Sequence, residues 1–263
     1  MRNISIKFSS ILMSGLFFCL PAQAEEKIDR QTETTVPRTK NLYGIGIGIL
    51  PKTSGSKEYR VLPMPIINAN YGERFYVNSL QAGVWLLDSE DKKLRLGLAA
   101  QARIGWDAED GELTKGMDDR KFSVDVGPVL RWQTDYGTFN AQWGFDVGGA
   151  SKGNTIDLQY IKSLVRTDKW RLNGTLGMGW NDQKFNDYYF GVSASEATNI
   201  RPAYKAGSGI ELKVGLNGAY TLSPNSVFLF GTNVTRLGDK QADSPIVETR
   251  IQPVVYVGYS IAY

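Results

Sequence analysis

Residues 94–107 read LRLGLAAQARIGWD. Leu94, Leu96, Leu98, Ala100, Ala102, Ile104 and Trp106 fall on one side of an extended chain. Arg95, Gly97, Gln101, Arg103 and Asp107 fall on the other. A period of two is what a strand imposes on its side chains. Working outward, Phe122, Val124, Val126, Pro128, Leu130 and Trp132 alternate with Ser123, Asp125, Gly127, Arg131 and Gln133. Phe139, Ala141, Trp143, Phe145 and Val147 alternate with Asn140, Gln142, Gly144 and Asp146, and residues 169–181 and 207–222 repeat the division. A soluble sandwich alternates too, but over strands of about five or six residues with the apolar side turned to a packed core. The runs here are longer, and their second face carries charge that a packed core would not accept unpaired. Long strands with one apolar and one polar face predict an all-β fold, an antiparallel transmembrane barrel with the polar face inward.

Twelve such runs can be marked between residues 42 and 263, with ten as the alternative if residues 74–87 form one bent strand. Tight turn sequences at 88–92, 135–137, 168 and 223–225 alternate with longer connections at 108–119, 182–206 and 238–247. Short periplasmic turns and long extracellular loops give the same alternation in outer-membrane barrels. Trp106 and Trp180 near the long loops, with Trp132 and Trp170 near the short turns, are expected to form two interfacial girdles. The inward Arg95, Arg103, Arg131, Asp125, Asp146 and Glu211 are expected to pair and fill the lumen, since small barrels fill with side chains and wide aqueous channels need more strands. The alternative is an open pore lined by the same groups.

The first 24 residues read as an export signal. Arg2 and Lys7 are followed by an apolar run at 11–20 and by the small-x-small site Ala22-Gln23-Ala24. The run is too short for a membrane helix, which needs about 20 residues. Phe17 and Phe18 before Cys19 do not fit a lipoprotein site. Residues 25–41 are polar and charged, with too little apolar surface to offset ordering entropy, and are expected to form a periplasmic leader. At the other end Val255, Val257, Tyr259, Ile261 and Tyr263 alternate up to the last residue. This is similar to the terminal signal read by the barrel-assembly machinery, although Tyr stands where Phe is usual.

The chain contains no histidine, and its single cysteine, Cys19, falls in the expected signal. Ser-His-Asp and Cys-His catalysis are thereby excluded for the mature chain, and the commonest zinc and copper ligands are missing. The acidic groups Asp118-Asp119 and residues 181–187 match no calcium-loop or paired-carboxylate spacing. The glycines at 44, 46 and 48 are followed by no helix pattern, so they read as small residues on one strand face. Cleavage would remove Arg2 and Lys7 from 30 basic residues and none of the 27 acidic ones, which leaves the chain almost neutral. Neither an enzyme, nor a cofactor, nor a nucleic-acid partner is expected.

Four segments carry a resemblance: LPMPIIN at 62–68, MDDRK at 117–121, NDYYFGVS at 186–193 with Glu196-Ala197, and DSPIV at 243–247. In this order they resemble the MipA/OmpV family of outer-membrane proteins. The resemblance implies a barrel set in outer-membrane lipid and a non-enzymatic scaffold, linking a murein-cleaving lytic transglycosylase with a murein-synthesising penicillin-binding protein. It carries over no catalytic residue. A small-solute channel and a surface adhesin remain open as alternatives.

Overall fold

The computed structural model describes residues 41–263. The expected signal, with Ala22 and Ala24, and nearly all of the leader lie outside the described residues. Twelve antiparallel strands close in sequence order, with β1 paired to β12. They are β1 (Leu42–Pro51), β2 (Tyr59–Tyr71), β3 (Phe75–Asn78), β4 (Gln81–Asp88), β5 (Leu94–Arg103), β6 (Ser123–Thr134), β7 (Gly137–Asp146), β8 (Asn154–Arg166), β9 (Trp170–Asn181), β10 (Gly209–Ser223), β11 (Ser226–Arg236) and β12 (Ile251–Ala262). The one-strand alternative for 74–87 gives way to a hairpin. Ser79 takes a left-handed conformation (φ 49°), the chain reverses, and Asn78 pairs with Gln81.

The outward face is apolar along its length: Ile45, Ile47, Leu96, Leu98, Leu176, Val214, Val255 and Val257 are all exposed. Exposed apolar surface on this scale is stable only against lipid. At the short-turn end Phe139 contacts both Trp132 and Tyr160, and Trp170 packs on Tyr220. These rings form one aromatic girdle. Trp180 stands on the outward face near the opposite end, in register with Ile156 and Ile210.

Trp106 departs from the expected girdle. β5 stops at Arg103, and Trp106 is wholly buried, bridged to Arg120 by backbone hydrogen bonds of 2.8 and 2.9 Å. The intervening Gly105 lies so close to the Arg120 carbonyl that a Cβ there would approach its oxygen to 1.6 Å. The chain therefore leaves the wall and folds inward. Ile104 follows the same path and packs against Leu50, Met64 and Tyr256.

The inward face is also not uniformly polar. On β6 to β10 it carries Asp125, Gln142, Asp157, Gln159, Asn173, Glu211 and Lys213. On β1, β2, β11 and β12 it carries Leu42, Leu50, Met64, Ile66, Val227, Leu229, Tyr256 and Ala262, all buried. The alternating glycines explain how these fit. A Cβ on Gly48 would lie 2.3 Å from Met64 Sδ, and one on Gly258 would lie 2.1 Å from Ile66 Cδ1. The two side chains from β2 lie over a strip of bare backbone.

Candidate functional site

The long loops fold into a lid over one mouth of the barrel. Its centre is helix α1 (Gln183–Phe190), which starts where Asp182 caps it by accepting a hydrogen bond from Phe185 N–H at 2.8 Å. Phe185, Tyr189 and Phe190 are buried with Ala206 and Leu237. The Phe185 ring lies 4.7 Å from the Arg103 guanidinium, so the helix rests on the topmost charge of the lumen.

Glu196 ties the lid together. Its carboxylate accepts from the backbone N–H of Ser193 (2.9 Å) and Asp118 (3.0 Å) and pairs with Arg120 at 3.1 Å. Burial raises the Glu196 pKa, but these donors outweigh it and hold the group down at about 2. Arg120 is held between the rings of Trp106 and Tyr188. Arg201 donates to the carbonyls of Glu196, Leu113 and Lys115. Lys121 N–H donates to Tyr188 Oη, and Ser244 Oγ donates to the Phe190 carbonyl. Three of the four resemblance segments, at 117–121, 186–197 and 243–247, thus meet in one folded unit. Its surface carries a cleft of about 1020 Å³, lined by Asp118, Lys121, Tyr188, Ser193, Tyr204 and Lys205 among others. The short helix α2 (Asp239–Ala242) closes one flank, where Gln241 bonds Asn186.

Beneath the lid, Arg103 pairs with Asp125 at 2.5 Å and donates to Thr155 at 3.1 Å, all three buried. Lys213 pairs with Asp157 and, at 3.0 Å, with Glu211, which also accepts from Asn181. Of the expected lumen residues, Arg103 and Asp125 are brought together. Arg95 bonds Asp88 at 2.9 Å near a short turn, and Arg131 stands opposite it in register. Asp146 accepts from Ser123 and from the N–H groups of Gly149, Ser151 and Lys152, so it organises the β7–β8 loop. Lys213 and Asp157 were missed as partners, although Thr155, Asp157 and Gln159 alternate with Ile156, Leu158 and Tyr160 in the sequence. Val255, Val257, Tyr259, Ile261 and Tyr263 all stand exposed on the outward face at the β12–β1 seam.

A closed barrel with a lipid-facing belt, a charge-filled upper lumen and a folded lid defines an outer-membrane β-barrel protein. The profile of the MltA-interacting protein MipA family matches residues 43–263, and the chain belongs to that family. It is 30% identical over 160 residues to Omp26La of Vibrio anguillarum and, over the same length, to OmpV of Vibrio cholerae. Each match covers 61% of this chain and 61% of the relative, so the chain spans about three fifths of the length of these two. The MltA-interacting protein of Escherichia coli K12 is 26% identical over 226 residues, covering 84% of this chain and 89% of that one.

Proposed function

We propose that the protein is a non-catalytic scaffold of the outer membrane, whose periplasmic rim holds a lytic transglycosylase beside the murein. The observation that carries this reading is the match along most of the chain to a relative named for interaction with MltA. The architecture supports it. The upper lumen is occupied by paired side chains and the mouth by α1, so the barrel body serves as an anchor. The rim presents polar turns, among them Glu73 bridged to Lys92 at 3.2 Å and the exposed Tyr136.

The test is affinity purification of the tagged full-length chain from detergent-solubilised envelopes. A lytic transglycosylase should co-purify, and replacing Glu73, Asp91, Lys92 and Tyr136 together by Ala should reduce its recovery about tenfold while heat-modifiable migration is retained. Recovery of porins and lipid alone with the unaltered chain would overturn the scaffold. The lid cleft favours a second reading, adhesion to an external ligand. Deleting residues 194–203 should then abolish surface attachment and leave partner recovery unchanged.

A further inference from the structure

The barrel wall is not hydrogen-bonded over its full height. β3 is four residues long and pairs with β2 only at residues 68–71. The β3–β4 tip, at Leu80, reaches only the level of Ala102 on β5, whose N–H donates to the Leu80 carbonyl at 2.8 Å. Among the described residues, β2 from Val61 to Ile66 therefore has no strand on its β3 side, about 20 Å of chain at ~3.3 Å per residue. An unpaired edge of this length in lipid leaves backbone donors unsatisfied. The sequence removes two of them. The Ile67 carbonyl faces the β3 side, accepting from Ser79 N–H at 2.6 Å. By strand parity residues 63 and 65 face the same way, and both are proline.

The opening this leaves is framed on every side. Arg60 bonds Asp110 at 2.6 Å above it, Leu80 lies below, β2 forms one flank and the end of β5 the other. Side chains beside it close ranks: Leu62, Leu80 and Ile104 pack on Leu50, Met64 and Tyr256. Around it the outward surface is Ile45, Ile47 and Val61, all exposed, in register with Pro65, Pro63 and Ile49. Behind it the apolar strip over the glycines continues through Ile66 to Leu42 and Leu229. What abuts such an opening is the hydrocarbon of the bilayer, and what lies behind it is an apolar lane closed by Leu62 and by Met64, an unbranched side chain that adapts its shape readily.

We propose that this window between β2 and β5 is a lateral portal that admits the acyl chain of a membrane lipid into the apolar half of the barrel. The lid roofs the axial mouth, so the portal is the apolar route to the interior. The chain lies along the glycine strip, displacing Met64 and Leu62.

The experiment uses the folded protein in phosphatidylcholine vesicles containing a phospholipid with a diazirine near the end of one acyl chain, with adducts mapped by mass spectrometry after illumination. Adducts are expected on the inward Leu50, Met64 and Tyr256 as well as on the lipid-facing Ile47 and Val61. Leu80→Trp and, separately, Ile104→Phe should cut the inward adducts at least fivefold and leave those on Ile47 and Val61 unchanged; heat-modifiable migration selects whichever variant is folded. Adducts confined to outward residues would overturn the portal. Inward adducts that both folded variants leave untouched would overturn it equally. Inward labelling by a diazirine fatty acid but not by the phospholipid would overturn the assignment to a membrane lipid.

Discussion

The two halves of the barrel interior obey the same alternation and are stabilised in different ways. On the β5–β10 side, inward positions hold charges whose desolvation is offset by close partners: Arg103 with Asp125, and Lys213 with Asp157 and Glu211. On the β11–β2 side, inward positions hold apolar side chains laid over glycine. The first half depends on pairing and the second on shape. A missing partner should therefore be felt more sharply than a missing methyl group, and the wall can afford an unpaired stretch only beside the second.

Breaking the charged layer should give the largest effect. Arg103→Ala strands the Asp125 carboxylate, and loss of one member of a buried pair costs about 3–5 kcal/mol. Arg103→Met combined with Asp125→Leu should recover most of that loss in denaturant unfolding from detergent micelles. Equal losses in the single and double variants would erase the distinction between the halves.

In the apolar half, Ile66→Ala removes the side chain that covers Gly46 and Gly258. The expected loss is about 2–4 kcal/mol by the same measurement, because a cavity opens where bare backbone cannot collapse into it. A smaller loss, below ~1 kcal/mol, would show that lipid or Met64 refills the space.

The lid should respond to acid. Glu196 sits at about 2 in the folded chain against an ordinary 4.5, so the stability it contributes is present above pH 4.5 and is lost as pH falls toward 2. Hydrogen exchange at Ser193 and Asp118 should accelerate across that window while strand amides of β9 and β10 stay protected. Glu196→Gln should weaken the lid by about 1–2 kcal/mol at neutral pH, since neutral acceptors make weaker bonds than charged ones, and should flatten the pH response.

The open edge gives a test of a different kind. Pro63→Thr with Pro65→Thr restores two N–H donors that have no strand to meet, and each donor left unsatisfied in lipid should cost about 1–3 kcal/mol. The same variant should raise the dimer fraction on native gels, because an edge with its donors restored can pair with a second copy. A gain of stability without dimers would mean that the wall closes.

How much of this was legible in the sequence differs from residue to residue. Alternation at 94–103 and 123–134 determined by itself which side chains face lipid, because side-chain direction in a strand is a local property of the backbone. It also placed Arg103 and Asp125 on the inner face, and Val255, Val257, Tyr259 and Ile261 on the outer one. Alternation could not determine partners, since Arg103 meets Asp125 and Lys213 meets Asp157 through register and barrel curvature, which depend on every intervening turn. Nor could it foresee that Trp106, in phase with the lipid-facing residues, would be buried, because that follows from the close approach of Gly105 to the Arg120 carbonyl. The segments at 117–121, 186–197 and 243–247 are far apart in sequence and individually unremarkable as loops. Only the closed barrel brings their ends to one rim, where Glu196, Arg120 and the aromatic rings bury one another. The same closure, with β3 stopping after four residues, leaves the middle of β2 without a strand on one side and turns two prolines in an ordinary-looking strand into the edge of an opening.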